Sequence, residues 1–358
     1  MRYGPKWRLF RKLIHQHVAS SQCEKSYIQM IEAEETQMMR DFLVNPQDFM
    51  LHPKRTSNSV IISVAYGLRS ESYSTSHVIE LYDIIDRFST LLEPGALPPV
   101  DIFPLLRLLP ESWFGNWVQK CTAIRLRMKK LYSGVLSKVL DRRRAHITRS
   151  SAIDYVLDRQ DSLSMTQNQL EFIGGVFQEG GSETIASTML VVIQALALNP
   201  QIQRAAQKEI DAVIGEDRSP VWSDYDRLPY VTMIIKEAFR WRPIAPLAFP
   251  HALTSDDTVD GYFLPRGAVI FINVWGLHHD DRYEGKTKLA AEDHYGYGAG
   301  RRICPGIHLA EREMFIGIAR LIWAFDFGQK LDNLGSPIST DTNPDGLQRR
   351  HSCQPEGH

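Results

Sequence analysis

Apolar side chains recur three and four residues apart over much of the first 200 residues, the spacing that gathers one face of a helix. The segment 7–20 is basic and amphipathic. Segment 24–43 sets Ile28, Ile31, Met38 and Met39 among many charges, and 77–92 and 113–149 also read as helices. A Pro-rich link over 94–110 separates the last two. The strongest helical signal is a single long helix over 168–198. Asn199 and Pro200 cap the next helix, 200–214, which Gly215 stops; 229–242 forms another. After Pro243 the pattern changes. Apolar β-formers surround turn residues over 259–274, which predicts a hairpin. Irregular chain then leads to a Gly-rich loop at 297–306 and a last apolar-periodic helix over 307–325. The pattern predicts a mainly α chain with a small β region, as one domain over 1–327, followed by a polar, poorly ordered tail over 328–358.

Composition narrows the classes. A chain of 358 residues, 43% hydrophobic and 23% charged, can bury a large core. A net charge of −1 gives no reason to expect a nucleic-acid partner. Arg142, Arg143 and Arg144, with Lys129 and Lys130, read as solvated helix faces. Cys23, Cys121, Cys304 and Cys353 form neither a C-x-x-C pair nor a zinc spacing, which argues against a disulfide framework and suggests a reducing compartment. The apolar stretch 185–198 is too short to cross a bilayer and contains Gln194, so it reads as a buried helix.

The loop Y-G-A-G-R-R-I-C-P-G at 297–306 carries the clearest chemistry. Gly298, Gly300 and Gly306 permit positive φ and close backbone approach to a ligand. Ringed by such N–H groups and set just before a helix N-terminus, the Cys304 sulfur would be held as a thiolate, which is a metal ligand. Arg302 offers a fork of donors suited to a carboxylate. One thiolate and one carboxylate-bearing metal cofactor satisfy the pattern, and haem with its propionates meets it. A Gly-rich turn around a structural cysteine is the plainer alternative. A second cluster, Gly180-Gly181-Ser182-Glu183-Thr184, sits inside the long helix, where each glycine costs roughly 1 kcal/mol. Such a cost implies close approach of another group, or a distortion that opens a groove. An acid and an alcohol there could relay protons; a packing notch with a surface acid is the alternative. Glu237 and Arg240 share a helix face at a pairing distance. Trp7 and Arg11 share another, as any amphipathic helix would arrange. His251 reads on its own as a turn histidine, and His15/His17 and His278/His279 as structural or solvated.

The loop closely resembles the haem-binding F-x-x-G-x-R-x-C-x-G motif of the cytochrome P-450 superfamily, with Tyr297 in place of the usual Phe. The glycine cluster resembles the family's A/G-G-x-D/E-T signature, with Ile185 where many relatives have a second Thr. Glu237-Ala238-Phe239-Arg240 is similar to its E-x-x-R motif, and Trp7 with Arg11 to its W-x-x-x-R helix. The four motifs stand in family order across 7–325, and the stretch 295–311 looks especially like fungal members, many of which serve secondary metabolism. The resemblance implies a cytochrome P-450 fold, incomplete at the N-terminus, holding haem b (iron protoporphyrin IX) with Cys304 as the axial ligand. It implies that Glu183 and Thr184 deliver protons, that Trp7, Arg11, His251, Arg302, Gly298 and Gly306 bind the cofactor, and that Glu237, Arg240 and Arg282 form a buried brace. The implied substrate is a small hydrophobic or aromatic molecule, such as a polyketide intermediate, lying along 177–182 and 244–249. The implied partners are O2 and NADPH-cytochrome P-450 reductase, at the cytosolic face of the endoplasmic reticulum membrane for a full-length relative. Three departures accompany it. The chain starts at the W-x-x-x-R helix without an anchor, so a cytoplasmic or peripheral location is expected; the stretch 280–295 is short; and no terminal hairpin is evident. An N-terminally truncated chain is therefore expected, either a haem-dependent monooxygenase or a truncated, catalytically inactive remnant. A zinc or iron–sulfur protein fails on cysteine count.

Overall fold

Thirteen α-helices and four short strands are present in the computed structural model, which describes residues 3–93, 95–100, 102–280, 294–332 and 335–338. The helices are α1 (Pro5–Val18), α2 (Ser20–Ser26), α3 (Ile28–Val44), α4 (Leu51–Tyr66), α5 (Ser76–Leu92), α6 (Trp117–Arg144) and α7 (Ala152–Leu157). They continue with α8 (Gln160–Leu163), α9 (Gln167–Leu198), α10 (Pro200–Val213), α11 (Pro229–Trp241), α12 (Val274–His278) and α13 (Ile307–Ala324). At the centre lies α9, packed by α4, α6, α13, α11, α10 and α5. A capping box starts it: Thr166 Oγ1 accepts the Gln169 N–H at 3.3 Å, and the Thr166 N–H reaches Gln169 Oε1 at 2.9 Å. By length and composition α9 could cross a membrane; here it is the core helix that the apolar stretch predicted.

One core helix was not legible in the pattern. In α4, Thr56, Ser57, Asn58 and Ser59 are fully buried alongside Val60, Ile61 and Ile62, so no apolar stripe marks it. Glycines on α9 let the two helices close together. A Cβ at Gly174 would lie 2.3 Å from Tyr66 Oη, and one at Gly181 would lie 2.4 Å from Ile61 Cγ1. On the other side of α4, Arg55 is buried against Glu34 of α3.

The β region also departs from expectation. Asp257–Val259 (β2) and Tyr262–Leu264 (β3) form a hairpin around Asp260 and Gly261, both at positive φ (49° and 83°), the two-residue turn that Asp-Gly favours. Val269–Ile270 (β4) pairs not with this hairpin but antiparallel with His251–Ala252 (β1). The single hairpin expected over 259–274 is thus two small sheets, because Pro265 and Gly267 turn the chain back to Leu253.

Candidate haem-thiolate site

The cysteine loop closes on itself by backbone bonds. The Cys304 N–H donates to the Tyr297 carbonyl at 2.8 Å, the Gly298 N–H to Tyr295 at 2.9 Å, and the Ile303 N–H to Gly300 at 3.2 Å. Gly298 and Gly300 take positive φ, 79° and 61°, as a loop this tight requires. Gly306 does not: its φ is −89°, and it caps α13 with its missing Cβ only 3.8 Å from the Cys304 sulfur. The sulfur lies three residues before α13 and accepts the Gly306 N–H at 3.4 Å. A sulfur ringed by amides is therefore corrected to a sulfur with one, since the loop's own carbonyls take the others. Burial pushes the thiol pKa up, opposed by the Gly306 N–H and by Arg11. The loop alone does not make a thiolate; a bound metal would, because coordination deprotonates a thiol outright.

Helix α1 supplies the loop's other wall. Arg11 Nη1 donates to the Ile303 carbonyl, and the Arg302 guanidinium stacks 4.3 Å over the Trp7 ring. Trp7, Arg8, Arg11, Lys12 and His15 line a groove along α1. Arg302, expected as a fork for a carboxylate, lays its flat face on the indole, an arrangement guanidinium planes favour. His251 is exposed on β1, opposite Ile270.

The glycine cluster lies as expected in α9, but its faces divide. Val176, Gly180 and Thr184, four apart, are exposed, whereas Phe177, Gln178 and Ser182 are buried in the core. Of the stretch 177–182, expected to lie along a substrate, Gly180 is exposed, whereas Gly181 and Ser182 face α4 and Glu179 meets Tyr132 of α6. A Cβ at Gly180 would meet nothing within 4 Å. Thr184 Oγ1 donates to the Gly180 carbonyl at 2.8 Å, and Glu183 Oε1 accepts from Ser187 at 3.1 Å. From 244 to 249 the chain is irregular, with Ile244, Leu247 and Phe249 exposed at 36%, 41% and 70%.

Glu237 and Arg240 pair in a bidentate fashion, at 2.6 and 2.7 Å, but their side chains are 57% and 37% exposed, so the expected buried brace is an open one. Arg282, its expected third member, lies outside the described residues. The pair still reaches the loop, by a route that sequence reasoning missed. Arg240 donates to the His278 carbonyl at 3.2 Å, and His278 Nε2 accepts the Tyr295 N–H at 2.9 Å. Phe239 stacks on His294 (4.3 Å, 11°) and packs on Tyr297 at 5.1 Å. The aromatic spacing of 294–297 was the only available signal. Together the donor set fits a haem. One sulfur is backed by an amide at a helix start with Arg11 beside it, Arg302 stands next to Arg11, and bare glycine surface lies on the loop and on α9.

A family model described as Cytochrome P450 matches residues 1–350. The chain is 52% identical over 371 residues to Cytochrome P450 monooxygenase yanC of Aspergillus niger, which covers 96% of this chain and 69% of that protein. It is 50% identical over 365 residues to Cytochrome P450 monooxygenase macC of Penicillium terrestre, with 94% and 68% covered. A solved structure of a zebra fish cytochrome P450, with abiraterone, shares the fold at a TM-score of 0.68 and 21% identity, covering 90% of this chain and 74% of its own.

Proposed function

This chain belongs to the cytochrome P450 family, an oxidoreductase family, and from that premise we propose that it inserts one oxygen atom of O2 into a small hydrophobic or aromatic substrate in secondary metabolism. The observation that carries this reading is the Cys304 sulfur, held by the Gly306 N–H at the start of α13 with Arg11 beside it. Haem b, when bound, supplies the activation of dioxygen, with electrons from NADPH-cytochrome P450 reductase. The chain's own residues do the rest. Cys304 would ligate the iron, and Arg11, Arg302 and Trp7 would hold the cofactor's carboxylate edge. Glu183 takes up and passes protons, and Thr184 orients them with the hydroxyl now turned to the Gly180 carbonyl. Val176, Gly180, Ile244, Leu247 and Phe249 offer an apolar surface to a substrate of modest size, a polyketide intermediate among them. Work at the cytosolic face of the endoplasmic reticulum belongs to the same proposal.

The reduced carbon-monoxide difference spectrum of the purified chain tests it. A red-shifted Soret band that disappears in Cys304→Ala is expected. Absence of the band in the wild-type chain supports the inactive-remnant reading, and a band that survives in Cys304→Ala removes the ligand assignment.

A further inference from the structure

Outside the cysteine loop, a chain of buried polar side chains joins four segments. Asn58 Nδ2 on α4 donates to Ser182 Oγ on α9 at 3.0 Å, and Ser182 Oγ donates to the Gln178 carbonyl at 2.7 Å. Ser70, in the connection after α4, donates from Oγ to Asn58 Oδ1 at 2.7 Å and meets His77 Nε2 of α5 at 2.8 Å. Asn58, Ser70 and Ser182 are fully buried, and His77 is 7% exposed.

The hydrogens order the chain. A hydroxyl carries one proton. Ser70 gives its proton to Asn58, so His77 donates from Nε2. That leaves a neutral ring with a bare Nδ1, which is buried without a partner. Burial pushes the His77 pKa down to about 4, in keeping with a neutral ring. Every bond therefore points from α5 toward α9. An amide stands in the middle, and an amide does not pass a proton without becoming an imidic acid. The chain thus transmits position, not protons.

What it holds is a segment of α9 rich in glycine and hydroxyl side chains. Ser182 lies between Gly181 and Glu183. Ser182, Thr184 and Thr188 each turn a hydroxyl back to the carbonyl four residues earlier, at 2.7, 2.8 and 2.9 Å, a pattern that loosens and bends helices. Two adjacent glycines weaken the segment further. Tyr82 of α5 lies nearby, but its hydroxyl donates to the Lys54 carbonyl at 2.7 Å, which leaves Asn58 to hold Ser182.

We propose that Asn58 is a positioning residue, which by gripping Ser182 from α4 sets the orientation in which Glu183 and Thr184 serve the reaction. The inference rests on the oxygenase reading above for what those two residues do, but the grip itself is testable without the cofactor. Hydrogen exchange on the full chain compares wild type with Asn58→Leu and with the smaller change Ser182→Ala, which retains the fold if the first does not. Amides of 180–186 are expected to exchange about tenfold faster, the factor for losing one buried hydrogen bond, with α10 unaffected. In haem-loaded protein, product formed per O2 consumed falls several-fold, with peroxide released instead and the substrate KM unchanged. Exchange in α9 equal to wild type overturns the proposal. So does an equal rise across the whole chain, or faster α9 exchange with undiminished coupling. A wild-type chain that takes up no haem sinks the oxygenase reading, while the exchange comparison still decides the grip.

Discussion

Gly180 and Gly181 are neighbours in sequence and opposites in what they tolerate. A Cβ at Gly180 enters open space, so Gly180→Ala gains helix propensity, up to about 1 kcal/mol of stability. A Cβ at Gly181 meets Ile61 Cγ1, Cδ1 and Cβ at 2.4, 2.7 and 2.8 Å. The last is the branch point of a fully packed side chain and cannot swing aside. Overpacking of about 1–3 kcal/mol then outweighs the propensity gain, and Gly181→Ala destabilises. Denaturant midpoints of the two variants check the opposite signs. At this scale the sequence was partly legible. The two glycines announced a close approach, but only the structure assigns it to one of them, since helical phase against an unrecognised α4 decides which faces inward. For the cysteine loop, Gly298 and Gly300 were readable as turn formers, whereas Gly306 takes ordinary φ.

Between elements, α3 and α13 bury two carboxyls, Glu35 and Glu313, both fully inaccessible; the Ser57 hydroxyl of α4 faces Glu313, and Glu35 has no hydrogen-bond partner among the described residues. Glu35 packs against Gly317, where a Cβ would lie 2.8 Å from its Oε2. Desolvation raises both pKa values, Glu313 to about 8, and each helix faces charges from the others: Glu34 of α3, Arg55 of α4, Arg320 of α13. The folded pKa exceeds the unfolded value, so the folded state binds the proton more tightly. Its contribution is whole below the unfolded carboxylate pKa near 4.5 and is lost as pH rises toward about 8. Unfolding free energy is expected to fall over that window, and Glu313→Gln to flatten the fall by up to about 1.4 kcal/mol per pH unit. Equal slopes in wild type and variant would show the carboxyl already ionised. Helices α9, α10 and α11 were legible to within a residue or two, α9 from its apolar periodicity and the other two because Pro200 and Pro229 mark their starts. Helix α4 was not, because its Thr56-Ser57-Asn58-Ser59 run reads as polar, and the groups that satisfy Asn58 and Ser59, Ser182 and Ser70, are ones no local pattern reveals.

Over the whole molecule, the connection between α5 and α6 leaves a run of apolar side chains in solvent: Leu105 at 76%, Leu108 at 81% and Trp113 at 71%. Patches of this kind drive association. Sedimentation is expected to show self-association of the isolated chain, relieved by detergent and by Leu105→Lys combined with Leu108→Lys; an unchanged, monodisperse wild type would count against it. The buried hydroxyls of α4 carry a consequence for how the chain is made. Asn58 finds Ser182 only 124 residues later, and Glu32 on neighbouring α3 waits 288 residues for Arg320. A helix without an apolar stripe has little to hold it while the ribosome is still working. Asn58 must stay hydrated until α9 has emerged, so α4 packs late, waiting on residues made long after its own.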